Sequence, residues 1–441
     1  MTQVASQFVA QAILRCDEDA SAWLKPFREA GRSRWSELSL PNRKTENWRY
    51  TSLRSLERGD YLAEPAQSDV EGFSPENVHV KGLDGSKLVF LDGVFSPELS
   101  NQMLPEGLSL VPFTQSSEAH RKLILQNLGE AVNHETSPFA SLNDSWLKEG
   151  VFLSVDRNTK LDKPIHVVWI TTKQERNFSV NQRMLVLMET GSEASVVEHY
   201  CSGVSEQNSF TNAVSEFIVQ KNAKLTHYRL HLEEEHSLHI GGIHVQLHRD
   251  AVFNSFQIAL GGVLKRLDID VSLIGEGAHC ELSGVYLPRD KQVIDFHTAM
   301  RHMVPHCTSN EVYRGIVADQ SRAIFNGLIY IHPQAQKTVA QLSNKNLLTS
   351  DQAEVDTKPE LQIYANDVLC AHGATVAQID EQLLYYLCSR GIDRQEAEVI
   401  LSFGFINELL NRLSDAPIQE YLRPILASQF AQSSDLARYI A

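Results

Sequence analysis

Alanine reappears behind a polar or glycine turn at a nearly fixed interval through the middle of this 441-residue chain. Ala194, Ala223, Ala251 and Ala278 each open a short apolar run, at separations of 223 − 194 = 29, 251 − 223 = 28 and 278 − 251 = 27 residues. The runs are rich in Val, Ile, Phe and Leu and bounded by Gly, Asn, Asp or Pro. Val151-Phe152-Leu153-Ser154-Val155, Ile165-His166-Val167-Val168-Trp169-Ile170 and Met184-Leu185-Val186-Leu187-Met188 are examples. Such runs read as strands. A repeat of this length means stacked coils, because one coil cannot bury its apolar face without the next. The expectation is a β-solenoid over residues 151–372, with a double-sheet jelly roll as the alternative.

The flanks have a different texture. Val4, Phe8, Val9, Ala12 and Ile13 make one apolar helical stripe, and Pro26 marks a helix break or a new helix start. Leu40 to Thr51 is polar but carries Trp48 and Tyr50. Residues 60–87 read as a loop-rich linker, and Ser117 to Val132 as a further helix. Residues 1–150 are therefore an N-terminal helical region with linker. Residues 373–441 form a helical cap. Ile379, Leu383, Leu384, Tyr386 and Leu387 share a helical face there, and Gly391 stops that helix. Asp393-Arg394-Gln395-Glu396 predicts a capping box for a second helix carrying Ala397, Ile400, Leu401, Phe403 and Ile406. A third helix starts near Pro417 and runs toward Tyr439. Most of these apolar residues are expected in the core, and the surplus suits a docking partner.

Composition excludes several functions. The net charge is −15, so no basic surface for nucleic acid is expected. Six scattered cysteines without a C-x-x-C pair make neither a disulfide framework nor a self-sufficient zinc or iron–sulfur site. Met1 to Leu14 lacks the pattern of a signal peptide, and no apolar run is long enough to span a membrane. The expected compartment is the reducing cytoplasm. The sequence has no phosphate loop, dinucleotide fingerprint, nucleophile elbow or H-E-x-x-H helix, and Gly275-Glu276-Gly277-Ala278 reads as a solenoid turn. No enzymatic activity is expected. The enzyme-class alternative is a secreted-type β-helix carbohydrate-active enzyme.

Histidines concentrate in two stretches, His227, His231, His236, His239, His244 and His248, then His297, His302 and His306 with Cys307. On strands only residues two apart share a face, so the first group is expected to be exposed or hydrogen-bonded strand residues, and the second structural, with Pro305 next to His306 marking a fixed turn. Asp367-Val368-Leu369-Cys370-Ala371-His372-Gly373-Ala374-Thr375 is sharper. Cys370 and His372 are two apart and face the same way. A thiolate and an imidazole suit a soft transition metal, but two ligands are about half of a stable set. The rest would come from another chain. A buried cysteine beside a hydrogen-bonded histidine is the structural alternative.

The same segment, with Asp380-Glu381-Gln382-Leu383 and Ser389-Arg390-Gly391-Ile392 after it, resembles the SufB/SufD family of iron–sulfur cluster assembly proteins, on its SufD side. So do Phe325-Asn326-Gly327-Leu328-Ile329-Tyr330, Ala335-Gln336-Lys337-Thr338 and Asn344-Lys345-Asn346-Leu347-Leu348. Lys44-Thr45-Glu46-Asn47-Trp48-Arg49-Tyr50-Thr51 resembles the family's N-terminal motif. The motifs run in order over essentially the whole chain. The resemblance implies a right-handed parallel β-helix core between N-terminal and C-terminal α-helical regions. It implies a heterodimer with SufB, a SufC ATPase bound through the C-terminal helices, and a transient iron or nascent iron–sulfur cluster shared with SufB. A reduced flavin on the complex, and a homodimer when the chain is alone, are further expectations. His372 is implied to face a SufB cysteine, with Cys370 a weaker candidate ligand. ATP binding by SufC would open the interface between the two β-helices. Where SufB has a Cys-Gly-Ala-His string, this chain has Asp351-Gln352-Ala353-Glu354-Val355, and His372-Gly373-Ala374-Thr375 stands where SufB has His-Glu-Ala-Thr. The chain thus lacks the scaffold's cysteine and glutamate.

Overall fold

The repeat is set by left-handed corners. Gly191, Asn222, Asp250, Gly277, His306 and Lys337 all have positive φ, between 55° and 75°. The residue after each is small or slender and buried: Ser192, Ala223, Ala251, Ala278, Cys307 and Thr338. Glycine, asparagine and aspartate adopt this conformation at least cost. The corners stack through the backbone, with Asn222 N donating to Arg249 O at 3.0 Å and Asp250 N to Glu276 O at 2.9 Å. A bulky side chain at the next position would collide with the neighbouring coil, about 4.8 Å away. Ala194 is not one of these corners. It pairs with Leu225, so Ser192 is the true equivalent of Ala223, two residues earlier than the alanine spacing indicates. Gly275–Ala278 is a turn, as expected, and Gly275 is there because a Cβ would lie 1.9 Å from Arg249 N.

In this computed structural model, residues 8, 11–12, 21–65, 78–101, 103–203, 208–233 and 236–430 are described. Val4, Val9, Ile13 and Tyr439 lie outside them, whereas Phe8 and Ala12 are buried. The core is a β-solenoid of about 7 turns with helices toward both ends. Successive strands alternate between a ten-stranded and a nine-stranded sheet, parallel throughout the solenoid. Three strands upstream of residue 151, Lys87–Leu91, Val94–Phe95 and Leu108–Pro112, join these sheets, and the last strand runs Leu369–Gln378. The interior between the sheets holds one large apolar cluster, including Trp169, Phe217, Phe253, Phe296 and Phe325.

Helices cover the outer faces. Arg394–Leu410 and Ala416–Phe430 lay Phe403, Ile406, Leu410, Ile418 and Leu422 on Tyr228, Leu230, Phe256 and Val285 of the ten-stranded sheet. Asp393 makes the expected capping box with Glu396, and Gly391 has φ 87°. The helix Lys25–Glu37 begins at Pro26 as expected and packs with Pro138–Ser145 over the nine-stranded sheet. The Lys44–Thr51 motif is a clamp. The Arg266 guanidinium lies 3.7 Å from the Trp48 ring centroid, its Nη1 donates to Asn47 O at 2.8 Å, and Thr51 hydrogen-bonds Asp295.

The interior is not wholly apolar. Glu311 points inward from strand Thr308–Val317, and burial pushes its carboxyl up to about 7, against the pull of the Thr298 hydroxyl. Its ordinary value is 4.5, so the folded state keeps a proton that the unfolded chain loses between pH 4.5 and 7. Stability should therefore fall across that window by about 1.4 kcal/mol per pH unit, about 3 kcal/mol in all. Glu311→Gln should flatten this fall. Urea unfolding of both proteins at pH 5, 6, 7 and 8 checks it, and parallel pH profiles would remove Glu311 as the cause.

Candidate functional site

Strand Leu369–Gln378 closes the ten-stranded sheet and pairs on one side only, with Val339–Leu348. Its register sets Cys370 beside Ala340 and His372 beside Leu342. Both neighbours belong to the interior cluster. Cys370 and His372 therefore look into the solenoid, but from its last coil, with no further coil above it among the described residues. Cys370 is half-buried against the interior cluster, and His372 is exposed. Burial raises the Cys370 thiol above its ordinary value, opposed by the backbone of Ala340. A Cβ on Gly373 would meet nothing within 4 Å. Gly373 lies on the opposite face of the strand, and that face is open there.

The final coil is open in other ways. Strand Glu354–Ile363 ends the nine-stranded sheet, also paired on one side, with Pro359 inside it. Proline lacks the N–H a central strand needs, so it suits such an edge. Tyr364, Leu369 and Val376 are 59%, 72% and 44% exposed. Unpaired edges with apolar side chains are templates for association. The Asp351–Val355 stretch turns into this strand and offers no thiol. Next along, Asp380 caps helix Glu381–Ser389 by accepting from Gln382 N and Leu383 N. Of its expected apolar face only Leu384 is buried; Leu383 and Tyr386 are 50% and 54% exposed, as is Tyr385 beside them at 76%.

Cys370 and His372 find no third histidine, cysteine or carboxylate positioned for a shared metal among the described residues. Most of the histidines are hydrogen-bonded or exposed, as expected, but those of the first group are buried to an extent the sequence does not indicate. His227, His231, His239 and His244 are fully buried and only His236 is exposed, while His248 lies between. His227 bridges Glu198 Oε1 at 2.9 Å and Ser255 Oγ at 2.8 Å. His231 and His239, on facing sheets, meet at Glu233. Spacing along one strand cannot reveal a meeting across two sheets. The second group does not converge. His302 hydrogen-bonds Ser309, His297 joins the Arg266 clamp, and His306 is a corner residue.

Comparison with known proteins gives this geometry its family. The family described as the SUF system FeS cluster assembly SufBD core domain matches residues 169–405, and the SufBD protein N-terminal region matches residues 4–167. The chain belongs to the SufB/SufD family of iron–sulfur cluster assembly proteins. It is 34% identical over 389 residues to the iron–sulfur cluster assembly protein SufD of Escherichia coli, covering 86% of this chain and 87% of the relative. A SufBD family protein of Synechocystis is 30% identical over 394 residues, covering 88% and 86%. SufD of Bacillus subtilis is 25% identical over 420 residues, covering 92% and 93%. SufB/SufD membership and the solenoid agree with the sequence motifs. Among the described residues, no helix is long and apolar enough to cross a membrane.

Proposed function

We propose that this chain is the SufD-type, non-catalytic subunit of a cytoplasmic iron–sulfur cluster assembly complex. It pairs with a SufB-type subunit through the open final coil. There His372, with Cys370 beside it, offers ligands to iron or a nascent cluster held opposite a partner thiolate. One observation carries this reading: Cys370 and His372 share the inward face of a terminal strand that lacks both a further coil and a third ligand of its own among the described residues. An incomplete donor set on an unpaired edge is half of a site. A SufC-type ATPase subunit would dock on helix Glu381–Ser389, whose exposed Leu383, Tyr385 and Tyr386 exceed the needs of its own packing. Aromatic anchors of this kind dominate interfaces.

Co-expression of the tagged chain with untagged SufB-type and SufC-type subunits tests the assembly. A ternary complex that binds iron and sulfide supports it, and flavin absorbance of the same sample tests for a reduced flavin. Sedimentation of the chain alone tests the homodimer. The variant Leu383→Ser/Tyr385→Ser/Tyr386→Ser should fold normally and lose the ATPase subunit, with affinity falling by about 100-fold or more. Retention of that subunit at full occupancy would move its docking surface elsewhere.

A further inference from the structure

A second set of metal-type donors lies deep inside the solenoid, apart from Cys370 and His372. His231 points inward near the end of strand Lys224–Leu232, and Glu233 follows two residues later. His239 comes back on the facing sheet, in strand Leu238–Leu247. One donor atom from each lies within 4.8 Å of the other two. The histidines are fully buried and Glu233 is 4% exposed. His239 Nδ1 is 2.9 Å from Glu233 Oε1, and His231 Nδ1 is 3.7 Å from Oε2. The imidazole planes are nearly perpendicular, at 89°.

Hydrogen bonding within this cluster is incomplete. His231 Nδ1 and His239 Nε2 are buried without an aligned hydrogen-bond partner. Buried polar atoms are rarely left so, because an unmet one costs about 1–3 kcal/mol. Two cations border the cluster. Arg229 Nε donates to His231 Nε2 at 3.1 Å. Lys265 Nζ stands 3.2 Å from Glu233 Oε2 and donates to the carbonyls of His231 and Glu233, each at 3.4 Å. Lys265 occupies the position beside His239 in the next coil.

We propose that His231, Glu233 and His239 form a buried binding site for a divalent transition-metal ion of the Zn²⁺ or Fe²⁺ class. Two imidazoles and one carboxylate are the borderline nitrogen–oxygen set that these ions select, while magnesium and calcium prefer all-oxygen sites. The ion would join the two sheets where the chain crosses from one to the other. The Lys265 ammonium is the rival occupant, since it supplies positive charge to the same carboxylate. On metal binding Lys265 keeps its two backbone carbonyls, the proton between His239 Nδ1 and Glu233 leaves, and so does the Nδ1 proton of His231, whose Nε2 accepts from Arg229, so uptake releases two protons and leaves an imidazolate beside the Arg229 guanidinium. The site has no sulfur ligand and is independent of the proposed cluster site.

The test uses the tag-free full chain, stripped with chelator and titrated with Co²⁺ alone, then with Zn²⁺ alone. The expected result is one ion per chain, an X-ray absorption shell of nitrogen and oxygen with no sulfur, and unchanged uptake in Cys370→Ser/His372→Ala. Glu233→Gln should weaken binding by about tenfold or more, and Lys265→Met should tighten it. The proposal is overturned if the folded wild-type chain takes up no stoichiometric ion, if sulfur appears in the shell, or if the Cys370/His372 variant loses the ion. X-ray absorption on the wild type decides the matter even where Glu233→Gln fails to fold. A cluster that is only an ion-pair network would bind nothing, and Lys265→Met would merely destabilise it.

Discussion

Arg183→Met is expected to cost about 3–5 kcal/mol of folding stability. Arg183 is fully buried on the outer face of the nine-stranded sheet. Its Nη1 reaches Asp144 Oδ1 at 2.7 Å and Asn143 Oδ1 at 2.9 Å, and its Nε reaches Glu216 Oε1 at 3.1 Å. Asp144 and Glu216 are themselves unexposed. The three residues tie helix Pro138–Ser145 to the sheet, and Glu216 also accepts from Gly129 N at 2.9 Å. Methionine fills similar volume but leaves the buried Glu216 carboxylate without its Arg183 partner, while Asp144 keeps Arg34 at 2.7 Å. The loss comes from that stranded charge rather than from the net worth of the ion pairs, which desolvation largely offsets. Two consequences distinguish this cause. Burial already raises the Glu216 carboxyl above its ordinary value, so the variant can fold with a neutral Glu216 and its deficit should shrink as pH falls. Adding Glu216→Gln, whose amide oxygen can still accept from Gly129 N, should also restore much of the loss. Urea unfolding at pH 7.5 and 5.5 measures both. An Arg183→Met chain as stable as wild type at pH 7.5 would show that the triad carries no such charge imbalance.

His372→Ala in the reconstituted complex is expected to lower cluster or iron retention by about tenfold or more, with the complex itself intact. Loss of even an indirect supporting partner of a metal commonly costs about 10–100-fold in affinity, and a direct ligand at least as much. His372 is exposed on the terminal strand, so its removal leaves no cavity and no unpaired buried group. Stability should hold within about 0.5 kcal/mol. Cys370→Ser should act more weakly, because its half-buried, raised thiol is a poorer thiolate at neutral pH. Iron and sulfide per complex, measured after gel filtration, separate the outcomes. Equal retention in wild type and His372→Ala would end the ligand role and leave the chain a structural partner.

The solenoid was legible because its cause is local. A left-handed corner favours Gly, Asn or Asp, the next residue must be small or slender, and both demands recur once per coil. Capping at Asp393, the stop at Gly391 and the start at Pro26 were legible for the same reason. The register at Ala194 was misread because Ser192 meets the corner's steric demand as well as alanine does, and composition alone does not separate them. Cys370 and His372 were legible as a same-face pair from their two-residue spacing. Their position at the open end was not, since it depends on the chain stopping its coils there.

The histidines mark the boundary most clearly. Nothing in a string of residues says that His231 and His239, eight positions apart, leave facing sheets and meet over Glu233, or that Arg183 finds Asp144 across 39 residues. By itself the sequence determined the coil, its corners, the caps of its helices and the family motifs, because those rest on backbone conformation and on side chains within a few residues of one another. Only the tertiary structure decided which polar groups are buried together, which helix face stays uncovered and which strand ends the sheet. Burial and pairing across coils depend on what lies beside each residue in space, and neighbours in a solenoid are a full coil apart along the chain.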